Sequence, residues 1–264
     1  MPRLILNSSK AFNVHEAGAF LIHEGALYFA TGTIGRFETP ITSLIRGVWS
    51  RFPSSAFALL RNRIFSSYDP TPACSGMIKV AAKRAGRLSV GEYYELKSSH
   101  QGKRILIDPP TATPFDDHLG LLDYSIKASD IPRMLEVLRE NSRGIKPVSA
   151  LLTDRDMRIL AFSWSRSIEN RTDHAELGLI QTKLRHLEED RYRGGTLWVS
   201  LRPCAMCSGQ ILTASTPGHP IKVRFLEEDP GPFAQNSCLV PGSDLWRKAG
   251  GPQVDVKRIN PTQD

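Results

Sequence analysis

The chain has 264 residues, of which 41% are hydrophobic and 23% are charged, the usual balance of a soluble globular protein. This length is enough for one large domain or two modest ones. The sequence has no apolar run long enough to cross a membrane and no signal-peptide-like apolar segment near its start, so we expect a cytoplasmic protein without a membrane partner. Four cysteines are too few for a disulfide scaffold.

The net charge is positive and unevenly distributed. Its formal value is +7, with five more basic than acidic residues up to residue 128 and two more after it. This excess favours a polyanionic partner through long-range attraction, and it equally describes a mildly basic surface without such a partner. No block of consecutive basic residues marks a nucleic-acid-binding tail.

The first half of the chain is predicted to fold as an α+β domain. The pattern around Glu24-Gly25 predicts a β-hairpin over residues 19–33. Further predicted elements are helices over residues 42–49, 54–65 and 76–87, and strands over residues 92–97 and 103–107. A dense cluster of turn-forming residues at 108–114 indicates a domain boundary. We therefore expect a first domain at residues 1–110, a linker at residues 111–128 and a second domain at residues 129–264.

The second half is predicted to form a mixed sheet covered by helices. Asp130 is predicted to cap the first helix, and a second hairpin follows over residues 148–153 and 158–164. The later elements are predicted as a helix after His174, a strand around Trp198, a helix up to residue 213, a strand over 222–226, a helix over 243–249 and a strand over 253–258. This order predicts a three-layer α/β/α sandwich.

Residues 196–207 are predicted to form a strand, a tight turn and the start of a helix. Pro203 suits the first helical turn because its missing N–H has no partner to lose there. Cys204 and Cys207 lie three residues apart, on one face of that turn. The positive end of the helix dipole favours the thiolate, which is the form that binds metal. Two thiolates from one turn make half of a zinc site.

His174 is the natural third ligand, because it opens an amphipathic stretch that predicts another helix. Glu176 lies two positions further on and projects away from His174, so it fits a proton carrier better than a ligand. Three protein ligands leave the fourth position of tetrahedral zinc for water, which distinguishes a catalytic site from a closed structural one.

Together, His174-Ala-Glu176 and Pro203-Cys-Ala-Met-Cys207, with 30 residues between the first ligands, resemble the zinc-dependent cytidine/adenosine deaminase superfamily. The sequence from about Pro147 to Asp229 most resembles the tRNA adenosine deaminase branch. The resemblance implies the cytidine deaminase-like fold, one Zn²⁺ per chain and hydrolytic removal of the amino group from adenine or cytosine, in RNA such as tRNA. It assigns Glu176 the proton transfers of that reaction.

Several further residues are implied at the substrate. The backbone N–H of Ala175 and the neighbourhood of Pro203 would hold the base, and Asp229 would contact the ribose. Relatives usually have Asn at the position of Ser165 and Glu at the position of Arg202, so substrate binding is less well specified than metal binding. Arg202 either meets a substrate phosphate or pairs with a surface acid.

Other functions stay open on the sequence alone. One alternative is a deaminase of free nucleosides, nucleotides or bases. Another is a catalytically silent module in which zinc supports binding of single-stranded nucleic acid or a partner, and Cys238 as a fourth ligand would make the site purely structural. The resemblance also allows a homodimer. The first half resembles a degenerate copy of the deaminase fold, in which Cys74 would be a remnant of the cysteine motif.

Overall fold

The computed structural model describes residues 17–34, 38–82, 88–90, 102–108, 124–144, 146–168, 170–186, 194–216, 218–251 and 254–259. These residues form two five-stranded mixed sheets, one in each half of the chain. The elements of the first half are β1 (Ala17–His23), β2 (Ala26–Gly32), α1 (Pro40–Arg51), α2 (Ala56–Leu59), β3 (Ile64–Ser66), α3 (Pro72–Ala81), β4 (Leu88–Val90) and β5 (Arg104–Leu106). Those of the second half are α4 (Ile131–Glu140), β6 (Ser149–Thr153), β7 (Ile159–Trp164), α5 (Ala175–His186), β8 (Thr196–Leu201), α6 (Ala205–Ala214), β9 (Lys222–Glu227), α7 (Pro232–Gln235), α8 (Asp244–Lys248) and β10 (Val256–Arg258).

The first sheet has the strand order β4-β3-β1-β2-β5 and confirms the predicted hairpin. The helix predicted over residues 54–65 is wrong: only the four residues of α2 are helical, and β3 follows. Sheet burial overrides helical periodicity here, because Phe65 pairs with Phe20 of β1 and their rings stack with centroids 4.8 Å apart. The strand predicted over 92–97 lies outside the described residues, and β4 was not predicted.

The second sheet has the strand order β10-β9-β8-β6-β7, and helices cover both of its faces. α4 packs Ile131 and Leu135 on one face, whereas α5 and α6 pack Leu179 and Ile211 on the other. The predicted three-layer sandwich is therefore confirmed. Asp130 precedes α4 but its side chain caps no backbone N–H, so that predicted cap is wrong.

The two sheets share a common plan. β1 is antiparallel to both β2 and β3, and β3 is parallel to β4. β6 is likewise antiparallel to both β7 and β8, and β8 is parallel to β9. A helix joins the second and third strands of each set, and another joins the third and fourth. Four strands and two helices of the first half thus repeat the layout of the second half, and β5 and β10 are added at different edges.

Helices α3 and α6 bring the two halves into direct backbone contact. A Cβ atom at Gly76 would overlap the carbonyl oxygen of Ala205, and one at Gly209 would overlap that of Pro72. Around this crossing, the apolar core of the first half includes Leu177, Met206 and Cys207 of the second. Residues of the second half therefore complete the core of the first, and the two halves are not joined only by a linker.

The predicted linker at 111–128 falls mostly outside the described residues. Its end is placed, because Ser125 forms an isolated antiparallel bridge with Arg158 beside β7. The predicted domain bounds stay a prediction. None of the helices in the described part of the chain has the length and apolar character needed to cross a bilayer.

We expect Gly76→Ala and Gly209→Ala each to lower the free energy of unfolding by about 1–3 kcal/mol, because the added methyl group must displace backbone. This loss would exceed the roughly 1 kcal/mol that alanine gains over glycine inside a helix. Urea denaturation of the full chain would measure it. Gly32→Ala is the matched control, since its Cβ would meet Pro40 only at ordinary contact distance. Unchanged stability of both helix variants would contradict the close packing.

Candidate metal centre and substrate cleft

The structure brings His174, Cys204 and Cys207 together between two helix N-termini. The Nδ1 atom of His174 lies 3.6 Å from the Sγ of Cys204 and 3.4 Å from that of Cys207, and the two sulfurs are 3.6 Å apart. His174 directly precedes α5, and Cys204 directly precedes α6. Within the described part of the chain, this is the group of histidine, cysteine and acidic residues whose geometry could hold a metal ion.

The local sequence explains the position of the two cysteines. Cys204 has extended backbone angles (φ −70°, ψ 174°) and its carbonyl accepts the Ser208 N–H at 2.8 Å, so it is the N-cap residue of α6. Cys207 therefore lies in the first turn. Pro203 precedes the N-cap and is not in the first turn, which corrects the predicted position. It still prevents the helix from starting earlier, because proline disfavours helical angles in the residue before it.

The donor set fits zinc. One imidazole nitrogen and two thiolates are ligands that zinc prefers, and three protein ligands leave a fourth position open. Glu176 is only 3% exposed, and its Oε2 atom has no hydrogen-bond partner among the described residues. A buried carboxylate oxygen without a partner is costly unless something else binds there. The orphaned oxygen therefore supports a site that is completed by a metal, a water molecule or a substrate.

The charges of these groups influence one another, because the groups are buried and lie in contact. A hydrogen bond from Cys207 and the charge of His174 hold the pKa of Cys204 well below its ordinary value, although burial acts in the opposite direction. Burial raises the pKa of Cys207 well above its ordinary value. Burial would lower the pKa of His174, but the Cys204 sulfur outweighs it and raises this pKa to about 9. Burial also raises the pKa of Glu176 to about 7, against the influence of His174.

A cleft of about 280 Å³ opens onto this group. Its wall includes His174, Glu176 and Cys204, together with three of the predicted substrate residues. Beyond His174, Glu176 and Cys204, the lining residues come from loops, from strand β8, from helix α7 and from helix α3 of the first half: Val80, Lys146, Val148, Ser165, Ser167, Arg171, Leu201, Arg202, Asp229, Gly231, Pro232 and Phe233. The cleft therefore connects the candidate metal group with the predicted substrate side.

The ionic side chains of the cleft are mostly paired. Asp229 is buried, and its Oδ1 accepts hydrogen bonds from Lys146 Nζ at 2.5 Å and from the Gly231 N–H at 2.8 Å. Arg202 donates to Glu228 at 2.8 Å and lies over the ring of Phe225. Of the two readings of Arg202, the structure thus gives pairing with a surface acid.

The remaining predicted substrate residues differ in access. Ser165 is buried and lines the cleft, with its hydroxyl 3.2 Å from that of Ser167. Ala175 is fully buried, and its carbonyl accepts the hydroxyl of Ser163. Pro203 is buried beside the cysteines and is absent from the cleft wall. The roles of these residues toward substrate stay predictions.

Sequence reasoning missed three features of the site. Lys146 pairs with Asp229 across 83 residues, and Val80 reaches the cleft from the first half. The guanidinium of Arg171 lies 4.4 Å from the centroid of the Phe57 ring of the first half. No local pattern signals these contacts, since each depends on how distant segments pack. The group of His174, Cys204 and Cys207 is called the metal-type group below. Cys238 lies outside it, in the core of the second half, so the described site has no cysteine as fourth ligand.

Comparison with known proteins identifies the domain that carries the site. Residues 136–243 match the model of the Bd3614-like deaminase family. The tRNA-specific adenosine deaminase of Haemophilus influenzae is 37% identical over 100 residues, which are 37% of this chain and 52% of that protein. The tRNA-specific adenosine deaminase of Agrobacterium fabrum is 34% identical over 80 residues, which are 30% and 52%. The chain thus spans about half the length of these curated relatives.

Solved deaminase structures are also similar. A structure from work on tRNA:A34 deaminases has 28% identity and a TM-score of 0.35, covering 42% of this chain and 77% of that one. Residues 136–243 are thus similar to deaminases of the cytidine deaminase-like superfamily. Within that superfamily, their sequence is similar to the tRNA adenosine deaminase branch.

We expect the purified chain to hold one thiolate-bound transition-metal ion, and we expect Cys204→Ala and Cys207→Ala each to lose it, because each substitution removes one of three ligands. Metal analysis after dialysis, together with the thiolate-to-cobalt absorption of the Co²⁺-loaded protein, would measure this. Cys238→Ala is the matched control and should keep the metal, since Cys238 lies in a separate apolar core. A well-folded native chain without metal would refute the assignment.

Proposed function

We propose that the chain is a zinc-dependent deaminase that hydrolyses the exocyclic amino group of a nucleobase, adenine or cytosine, with RNA such as tRNA as its substrate. The observation that carries this proposal is the meeting of His174, Cys204 and Cys207 in a cleft beside the buried carboxylate of Glu176, whose Oε2 atom has no hydrogen-bond partner among the described residues. A structural metal site needs no such carboxylate, so the catalytically silent alternative leaves Glu176 unexplained.

Each residue of the cleft has a chemical task in this proposal. Bound by His174, Cys204 and Cys207, zinc would supply a water molecule acidic enough to act as a nucleophile near neutral pH. Glu176 would accept one proton from the attacking water and pass it to a ring nitrogen, and would then carry the second proton of that water to the amino group, which leaves as ammonia. The amino-bearing carbon loses ammonia and gains the water oxygen, so one water is consumed. The apolar wall formed by Val148 and Leu201 excludes bulk water from the buried carboxylate.

The preference for RNA rests on the relatives and on the shape of the site. Enzymes that modify a base in a polynucleotide act on single strands or turn the base out of its stack into a pocket. The single cleft beside Glu176 suits one such base, and the exposed Lys146 and the half-buried Arg171 lie along its wall. The two curated relatives are named as tRNA-specific adenosine deaminases. In the alternative, free nucleosides, nucleotides or bases enter the same cleft.

Glu176→Gln is expected to keep the metal and to lower kcat by about 10²–10⁴-fold, because the amide cannot carry the proton. Ammonia release and mass spectrometry of the product would measure the loss, and metal content would be determined on the same sample. Glu228→Gln serves as the matched control, since Glu228 pairs with Arg202 and is not part of the cleft wall. Unchanged turnover in Glu176→Gln would remove this residue from the mechanism.

The substrate is tested by offering the native chain tRNA, single-stranded RNA, and the free bases, nucleosides and nucleotides of adenine, cytosine and guanine. We expect a gain of one mass unit, the replacement of an amino group by oxygen, in tRNA. Deamination of free compounds alone would replace the RNA proposal with the alternative. Absence of deamination from every substrate by a zinc-loaded chain would favour the silent binding module.

A further inference from the structure

The helix that follows His174 has a counterpart in the first half. α1 and α5 both join the second strand of a hairpin to the third strand of the sheet. Thr39 precedes α1 as His174 precedes α5. The carbonyl of Thr39 accepts the Ser43 N–H at 2.8 Å, and that of His174 accepts the Gly178 N–H at 3.0 Å. Thr39 and His174 therefore occupy equivalent positions in the two halves.

Helix α6, which carries the two cysteines of the site, has its counterpart in α3 of the first half. Thr71 is the N-cap residue of α3, and Cys204 is the N-cap residue of α6. Each carbonyl accepts the backbone N–H four residues further on, at 2.9 and 2.8 Å. Cys74 then stands three residues after Thr71, as Cys207 stands three residues after Cys204. The equivalents of the three metal-type residues are thus two threonines and one cysteine.

These three equivalents form a buried cluster in the first half. The Cys74 sulfur lies 3.0 Å from the Thr39 hydroxyl and 3.2 Å from the Thr71 hydroxyl. Thr39 is 1% exposed and Cys74 is fully buried. The side chains still converge on one point, but neutral hydroxyl groups are weak ligands for the metals that thiolate and imidazole bind. In the first half, hydrogen bonds therefore hold Thr39, Thr71 and Cys74 together, whereas in the second half a metal ion would hold His174, Cys204 and Cys207.

The proton carrier is also absent from the first half. Ile41, the second residue of α1, stands at the position that Glu176 occupies in α5. The Ile41 N–H donates to the hydroxyl of Tyr68 at 3.0 Å, and Tyr68 is 7% exposed. Tyr68 stands three residues before the N-cap, where the second half has Leu201 of the cleft wall. An apolar residue and a buried tyrosine thus replace the acid and the cleft wall.

The contact between the halves is reciprocal. Gly76 and Gly209 each stand two residues after the equivalent cysteine, and each faces the carbonyl of the residue that follows the opposite N-cap. In a two-fold interface between like units, each unit uses the same residues to contact the other. The contacts of Gly76 and Gly209 follow this pattern. The two halves of the chain therefore pack against each other as the two subunits of a symmetric dimer would.

The first half also builds part of the cleft. Val80 of α3 lines it directly. Phe57 of α2 packs under the guanidinium of Arg171 at the cleft wall. Lys79 of α3 donates to the carbonyl of Asn236 at 3.2 Å. Asn236 directly follows α7, whose residues Pro232 and Phe233 line the cleft. The substrate side of the second half is thus held in place by contacts from the first.

We propose that the first half is a deaminase-type unit whose metal ligands have been replaced, and that it serves as a built-in partner subunit which supports the site helix and forms a wall of the substrate cleft. The Thr39, Thr71 and Cys74 cluster is the former metal position of this unit. The role of the wall rests on the proposed function, whereas the former metal position does not.

The metal position is tested by restoring its ligands in the full chain with Thr39→His and Thr71→Cys together. We expect bound zinc to rise from one to two per chain, and the thiolate-to-cobalt absorption of the Co²⁺-loaded protein to double. The matched control is the same double variant with Cys74→Ser, which should return to one. A native chain without metal would count against the proposed function. A native chain with one zinc and a folded double variant that also holds one would overturn the former metal position.

The wall is tested by Val80→Trp. We expect KM for the substrate to rise about tenfold with kcat little changed, because the larger side chain narrows the cleft without touching the metal group. Zinc content should stay at one per chain. Leu106→Trp is the matched control and should keep the native KM, since Leu106 is an exposed residue of the first half that does not line the cleft. Unchanged kinetics of the folded Val80→Trp variant would overturn the built-in wall, and this decides the proposal if the restored-ligand variant does not fold.

Discussion

The close crossing of α3 and α6 is the constraint on which the rest of the structure depends. Gly76 and Gly209 let the two backbones touch, and the core around them contains residues of both halves. Since Cys204 and Cys207 lie at the start of α6, whatever fixes this helix also fixes two of the three metal-type side chains. The geometry of the site is therefore determined as much by the first half of the chain as by the motif that defines it.

The candidate site was more predictable than the fold of the first half, for physical reasons. His174, Cys204 and Cys207 lie at helix starts that local patterns mark well, and the structure brings them together as the spacing implied. The strand β3 was mistaken for helix because its short apolar sequence carries no decisive period, and only pairing with β1 settles it. The cleft wall could not be foreseen, because its contacts join segments far apart in sequence.

The electrostatics of the cleft separate the chemistry from the recognition of substrate. Around the metal-type group, burial and coupling shift every titratable group away from its ordinary pKa. Along the outer wall, Lys146 and Arg202 already have acidic partners in Asp229 and Glu228. A substrate phosphate would have to compete with these ion pairs. Reactivity is thus concentrated at the base of the cleft, while the ion pairs of Lys146 and Arg202 lie along its outer wall.

The shared core also has a consequence for how the chain folds. The reciprocal glycine contact joins residues 76 and 209, and contacts at such separation in sequence can form only after most of the chain has been synthesised. Until then, the apolar side of α3 that will meet α6 has no native partner and is exposed to wrong contacts. His174, Cys204 and Cys207 therefore reach their final geometry late, once helix α6 packs against α3.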